Sequence, residues 1–97
     1  MDSSLDTTTL AQSTQAAALH FLRTELMTGN VLLDVAYSTQ DRAVRVRRVQ
    51  AARDAHDVVA RHVGEGVMHF SHEEWQTLRV GLAALRCRLE DAEADPR

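Results

Sequence analysis

The chain has 97 residues, a formal net charge of -3 and a pI near 5.9, with 44% hydrophobic and 26% charged residues. These values suit one globular domain with a single modest core. They exclude a general attraction to nucleic acid or to an anionic membrane, and no apolar run approaches the ~18 residues of a membrane span.

Residues 1–8 are rich in Ser, Thr and Asp and are expected to form a flexible segment. Helical periodicity starts at Thr9, which stands in capping-box spacing with Gln12. From Leu10 to about Tyr37, the positions Ala11, Gln15, Ala18, Leu22, Leu26, Gly29, Leu33 and Ala36 recur every three or four residues, the mark of one helix face. Leu19, Phe21, Leu32 and Tyr37 widen that face, and Gln12, Ser13, His20, Arg23, Asn30 and Asp34 fall opposite. Ser38-Thr39-Gln40-Asp41 reads as a turn, with Ser38 as the cap of a second helix and Asp41 favouring its positive end. The second helix is expected to run to Val63, with Val44, Ala51, Ala52, Ala55, Val58 and Val59 facing the core. Gly64 then supplies a left-handed C-terminal cap.

Val67, Met68 and Phe70 sit in a loop and are expected to fold back over one end of the bundle. The third helix has the clearest start signal. Ser71 and Glu74 form a capping box, and Phe70 can staple onto Trp75. Trp75, Leu78, Leu82, Leu85 and Leu89 trace a narrow apolar stripe. The acidic run from Glu90 to Asp95 opposes the helix dipole, so residues 94–97 are expected to fray. Three helices of similar length with short connections predict an all-α, antiparallel, up-down-up three-helix bundle over residues 9–93. A helical hairpin completed by a third helix is also the plan of tetratricopeptide-like modules, but their pattern of aromatic, Gly and Pro positions is absent.

Few side chains depart from a plain bundle. One cysteine, Cys87, excludes an internal disulfide and fits a reducing compartment. The opening Met1-Asp2-Ser3-Ser4-Leu5-Asp6 lacks the basic and apolar regions of a signal peptide, so a cytoplasmic location is expected. All eleven basic residues are Arg, which reads as the coding bias of a GC-rich bacterial genome. Five of them lie between Arg42 and Arg53. A basic helix can bind phosphates, but no aromatic residue is interleaved for base stacking, and a solvated face is the favoured reading. Nucleic-acid and membrane partners are not expected, and a DNA-binding regulator ranks third among the readings.

His69, His72 and Glu73 lack the spacing of a helical His-x-x-x-His pair, so no metal is expected. His56 and His62 border the apolar arc of the second helix as amphipathic edge residues. No catalytic or cofactor-binding motif is present, and the chain reads as non-enzymatic. Val80, Ala83, Ala84 and Cys87 form a small apolar patch on the outer side of the third helix, which suggests a homodimer contact or a site for another protein. Glu25 falls inside the apolar arc of the first helix and Arg48 inside that of the second. The sequence therefore predicts a partly buried Glu25–Arg48 pair that fixes the hairpin register. Arg45 and Arg48 are also the charges on which an alternative function, small-ligand or anion binding, would rest.

Overall fold

A computed structural model describes residues 3–66 and 68–95, with the side chains of residues 3–12 left undescribed. It shows three helices, α1 (Ser3–Ser38), α2 (Arg42–Glu65) and α3 (His72–Ala94). Helix α1 begins at Ser3, where the sequence predicts a flexible segment; Met1 and Asp2 lie outside the described residues. The run from Ser3 to Thr9 contains no Gly or Pro to stop a helix. The Thr9–Gln12 spacing consequently falls inside the helix and does not start it.

The connection between α1 and α2 is built from short polar side chains. Asp41, not Ser38, caps α2: its Oδ1 accepts from the backbone N–H groups of Ala43 and Val44 at 2.9 and 3.2 Å. Ser38 instead ends α1, its hydroxyl donating back to the Val35 carbonyl. Arg45 then reaches across the turn. Its Nη2 donates to the Thr39 carbonyl at 2.9 Å and its Nε to the Ala36 carbonyl at 3.4 Å. These carbonyls belong to the C-terminal end of α1, where helix geometry leaves acceptors without partners and the dipole favours a cation.

Helix α2 continues through the expected glycine to Glu65. Gly66, at φ 61°, is the left-handed cap, and its N–H donates to the His62 carbonyl at 3.2 Å. Gly64 stays within the last helical turn. Met68 and Phe70 pack on the core as expected, whereas Val67 lies outside the described residues. Helix α3 opens as the sequence predicts. Ser71 Oγ accepts from the Glu74 N–H, Glu74 Oε1 accepts from the Ser71 N–H, and the Phe70 and Trp75 rings meet at 4.9 Å. At the other end the helix holds to Ala94 because Arg53 of α2 grips Glu93 through two hydrogen bonds. Asp95 follows as its C-cap, and Pro96 and Arg97 lie outside the described residues.

The core joins Leu19, Leu22, Leu26 and Leu33 of α1, Ala52 and Val59 of α2, and Leu78, Leu82, Leu85 and Leu89 of α3. Two glycines let α1 and α3 approach. A Cβ on Gly29 would stand 2.8 Å from Leu85 Cδ2, and one on Gly81 would stand 3.0 Å from Leu26 Cδ1. Each leucine thus fills the space above the other helix's glycine. These pairs advance together along both chains, so α1 and α3 run parallel, with α2 antiparallel to both, which is the up-down-up order.

The molecule is elongated. Its radius of gyration is 16.8 Å, against roughly 12.5 Å for a compact chain of this length. The cause is the length of α1, with 36 residues against 24 and 23 in its neighbours. Gln15 Oε1 accepts from the His69 N–H in the α2–α3 loop, which marks the far end of the bundle. The part of α1 before Gln15 extends beyond that level by about 18 Å at 1.5 Å per residue.

Candidate functional site

Helix geometry decides which of the charged positions meet. Arg48 stands six residues after the start of α2, and Glu25 thirteen residues before the end of α1. The two sit roughly 10 Å apart in height along an antiparallel hairpin. No hydrogen bond or ion pair joins them: Glu25 is half-buried and Arg48 is exposed. The expected register pair is therefore absent, because the two residues lie at different depths from the turn. Register is carried instead by Arg45 at the turn and by Arg88 of α3.

Arg88 makes the main polar contact between α1 and α3. Its Nη1 donates to Asn30 Oδ1 at 2.7 Å and its Nη2 to Asp34 Oδ1 at 2.7 Å. Asn30 Nδ2 in turn donates to the Leu26 carbonyl. Asn30 and Asp34 thus flank the α3 contact and are not simply a solvated back face.

Of the five arginines between Arg42 and Arg53, the two half-buried ones are engaged, Arg45 by carbonyls and Arg53 by Glu93. The bond to Glu93 holds the Arg53 guanidinium above its ordinary pKa and pulls the Glu93 carboxyl below the usual carboxylate value. Arg42, Arg47 and Arg48 are exposed and make no such contact with described residues. A half-open groove of about 250 Å³ lies between the start of α2 and the end of α3, with Val46, Val49 and Ala92 in its lining. Arg42 and Arg45 line one side, but Glu93 and Asp95 line the same groove, so an anion there meets like charge. Arg48 does not reach it. The two arginines proposed to receive a ligand therefore do not converge.

His56 departs from its expected place at a helix edge. It is only 6% exposed; its Nδ1 lies 2.9 Å from Asp57 Oδ1, while its Nε2 is buried without a hydrogen-bond partner. His62 is half-buried, with Nδ1 on the Val58 carbonyl. Among the described residues, no group of three His, Cys, Asp or Glu side chains could hold a metal ion. No described helix is long and apolar enough to cross a membrane.

Two outward surfaces remain. On α3, Val80, Ala83, Ala84 and Cys87 are all exposed, as the helical wheel indicates. They are small apart from Val80, and Arg79, Arg86 and Glu90 lie along one side. The second surface is on α1 and was not read from the sequence. Ala17, Phe21, Thr24, Thr28, Val31, Val35 and Ser38 recur at alternating spacings of four and three residues. This is the spacing of a coiled-coil seam, and it runs for about three heptads. At ~100° per residue the seam lies roughly opposite the inward stripe of Leu22, Leu26 and Leu33. None of its residues is charged, and Met27 and His20 flank it. Met27 is 61% exposed, Val31 53%, Phe21 46% and Val35 40%.

The signal for this seam was present in the sequence. The inward stripe has the same period, and Phe21, which reads as widening that stripe, is in fact 46% exposed. No protein-family model, curated protein or solved structure matches the chain.

Proposed function

We propose that this protein is a non-enzymatic helical interaction module, and that it docks a partner helix on the outward seam of α1. The observation that carries the reading is a heptad-spaced, charge-free face with Thr28, Val31 and Val35 exposed, at the edge of which Phe21 leans on the His62 ring of α2. Exposed apolar residues occur singly on any protein, but a continuous row along one helix marks a contact surface. An amphipathic partner helix is the natural occupant, since alternating spacings of three and four residues match its own ridges. The exposed Cys87 thiol accords with work in the reducing cytoplasm.

The test places a photo-crosslinking residue at position 31 in cells of the native host. A discrete adduct is expected from position 31 and none from exposed position 76 on α3. Irradiation that yields no adduct from position 31 in any growth state removes the reading.

A further inference from the structure

We propose that the groove between the start of α2 and the end of α3 binds a small zwitterion with an apolar side chain, of the class of the branched-chain α-amino acids. The site is built by α2 and α3, apart from the α1 seam, and goes beyond the docking role proposed above.

The groove exists because α3 stops short. Arg53 grips Glu93 in the last turn of α3, whereas α2 begins eleven residues earlier, at Arg42. At 1.5 Å per residue, the first turns of α2 run about 16 Å past that grip and stand largely beyond the end of α3. The step leaves about 250 Å³. Pockets for drug-sized ligands begin near ~300 Å³, so the space suits a smaller molecule.

The lining divides by chemistry. Val46, Val49 and Ala92 offer an apolar wall, and Val46 is 59% exposed. Arg42 and Arg45 stand on the α2 side. The Arg45 guanidinium is held in place: its Nε and Nη2 donate to the Ala36 and Thr39 carbonyls, which leaves Nη1 without a partner among the described residues. A cation fixed in this way loses little freedom when a carboxylate arrives. Arg42 is exposed and can turn its planar fork to the same carboxylate. On the α3 side stand Glu93 and Asp95. Glu93 keeps its bond to Arg53 and has further lone pairs for an ammonium group. Gln50 Nε2 donates to Asp54 at 3.0 Å, so its amide oxygen is a further acceptor at the groove.

A simple anion would answer the arginines and face the carboxylates, and a simple cation would do the reverse. A ligand with both signs finds an opposite charge on each side, and a branched aliphatic side chain covers the valines.

Heteronuclear NMR titration of the full chain with L-leucine tests the site. Saturable shifts are expected at the amides of residues 42–50 and 92–95. N-acetyl-leucine lacks the ammonium group and leucinamide the carboxylate. Each should bind at least about tenfold more weakly, the loss of one charge-assisted contact. Glycine, with no side chain to reach Val46 and Val49, should also bind more weakly. Arg42→Ala should weaken leucine at least about tenfold and leave the thermal melt unchanged, since position 42 is exposed. The proposal is overturned by silence at these amides, by full affinity in Arg42→Ala, or by equal binding of glycine, N-acetyl-leucine or leucinamide. Shifts reproduced by potassium acetate at equal ionic strength would overturn it too, as a response to salt alone. None of these outcomes alters the position-31 crosslink, so the two readings fail separately.

Discussion

Viewed down its axis, α1 carries two seams. The inward seam of Leu22, Leu26, Gly29 and Leu33 is covered by α2 and α3, and Leu22 and Leu33 are almost wholly withdrawn from water. The outward seam is exposed at Thr28, Val31 and Val35, while Thr24 is half-buried and Phe21 meets the His62 ring of α2. Neither carries charge, and both follow a helical period, so hydropathy alone does not tell them apart. Side-chain size does. The inward seam sets one glycine among its leucines and interlocks through Gly29 and Leu26 with Leu85 and Gly81 of α3, whereas the outward seam has medium residues suited to a shallow, exchangeable contact. The lesson is that a helix can be amphipathic twice. One face can build the fold while the other remains available.

The largest effect that would sharpen this contrast is at the interlock. Leu85→Ala is expected to cost about 3–5 kcal/mol, because Gly29 opposite cannot fill the space left behind. Val31→Ala on the bare face is expected to stay within about 0.5 kcal/mol, as for other exposed positions. Urea melts of the two variants read the difference. Similar losses would mean that the outward seam is part of the core.

The glycines refine the same point. Gly29→Ala places a methyl 2.8 Å from a leucine that is itself fully buried, so it cannot swing aside. Overpacking of about 1–3 kcal/mol outweighs the roughly 1 kcal/mol of helix propensity gained, giving a net loss near 1 kcal/mol. Gly64→Ala meets nothing within 4 Å, so propensity alone acts and a gain of up to about 1 kcal/mol is expected. The double variant Gly29→Ala, Leu85→Ala should be more stable than the sum of its parts, since the shorter side chain makes room for the methyl. Additive losses would separate the two sites.

His56 offers a contrast within the core. Its Nε2 is buried with no acceptor or donor, and an unsatisfied buried group costs about 1–3 kcal/mol. His56→Leu removes that group at similar volume while giving up only a contact with the exposed Asp57. A gain of about 1 kcal/mol is expected in thermal melts; a loss would show that the imidazole is better accommodated than its neighbours indicate.

Much of this architecture was legible beforehand, and the errors have physical causes. Ser71, Glu74, Phe70 and Trp75 are a local signal, complete within six residues, and sequence alone placed them correctly. The caps of α2 lie two or three residues from the positions the sequence suggests, Asp41 for Ser38 and Gly66 for Gly64, because both candidates of each pair are chemically fit and tertiary packing chooses between them. Angular position pairs Glu25 with Arg48, but their depths from the turn differ. Gly29 admits α3 and not α2, a choice that periodicity within one helix does not encode. Arg88 joins α3 to α1 through Asn30 and Asp34. Long-range polar pairs of this kind require the relative rotation of helices, and no spacing within a segment records it.

The smallest expected effect concerns acid, and it compares the two ends of α3. Glu74 at its start is held below its ordinary value of 4.5 by hydrogen bonds from Ser71. Glu93 at its end is lowered mainly by the bond from Arg53. A carboxylate depressed in the folded state contributes stability above its unfolded value and loses it as pH falls through the folded value. Both contributions should therefore be complete at neutral pH and decline from about pH 4.5 downward. Glu93 is partly exposed and screened by solvent, so its contribution is small, in line with surface ion pairs. Glu93→Gln should flatten the acid limb of the melting temperature while leaving the fold intact. It should also loosen the last turn of α3, visible as faster amide exchange near Ala92, because acidic residues at that end otherwise oppose the dipole. Glu74→Gln can keep part of the capping geometry, since an amide oxygen still accepts from the Ser71 N–H, so the start of α3 should exchange at nearly its original rate. Equal loosening at both ends would mean that charge at Glu74, and not the hydrogen-bonded box, holds the helix start.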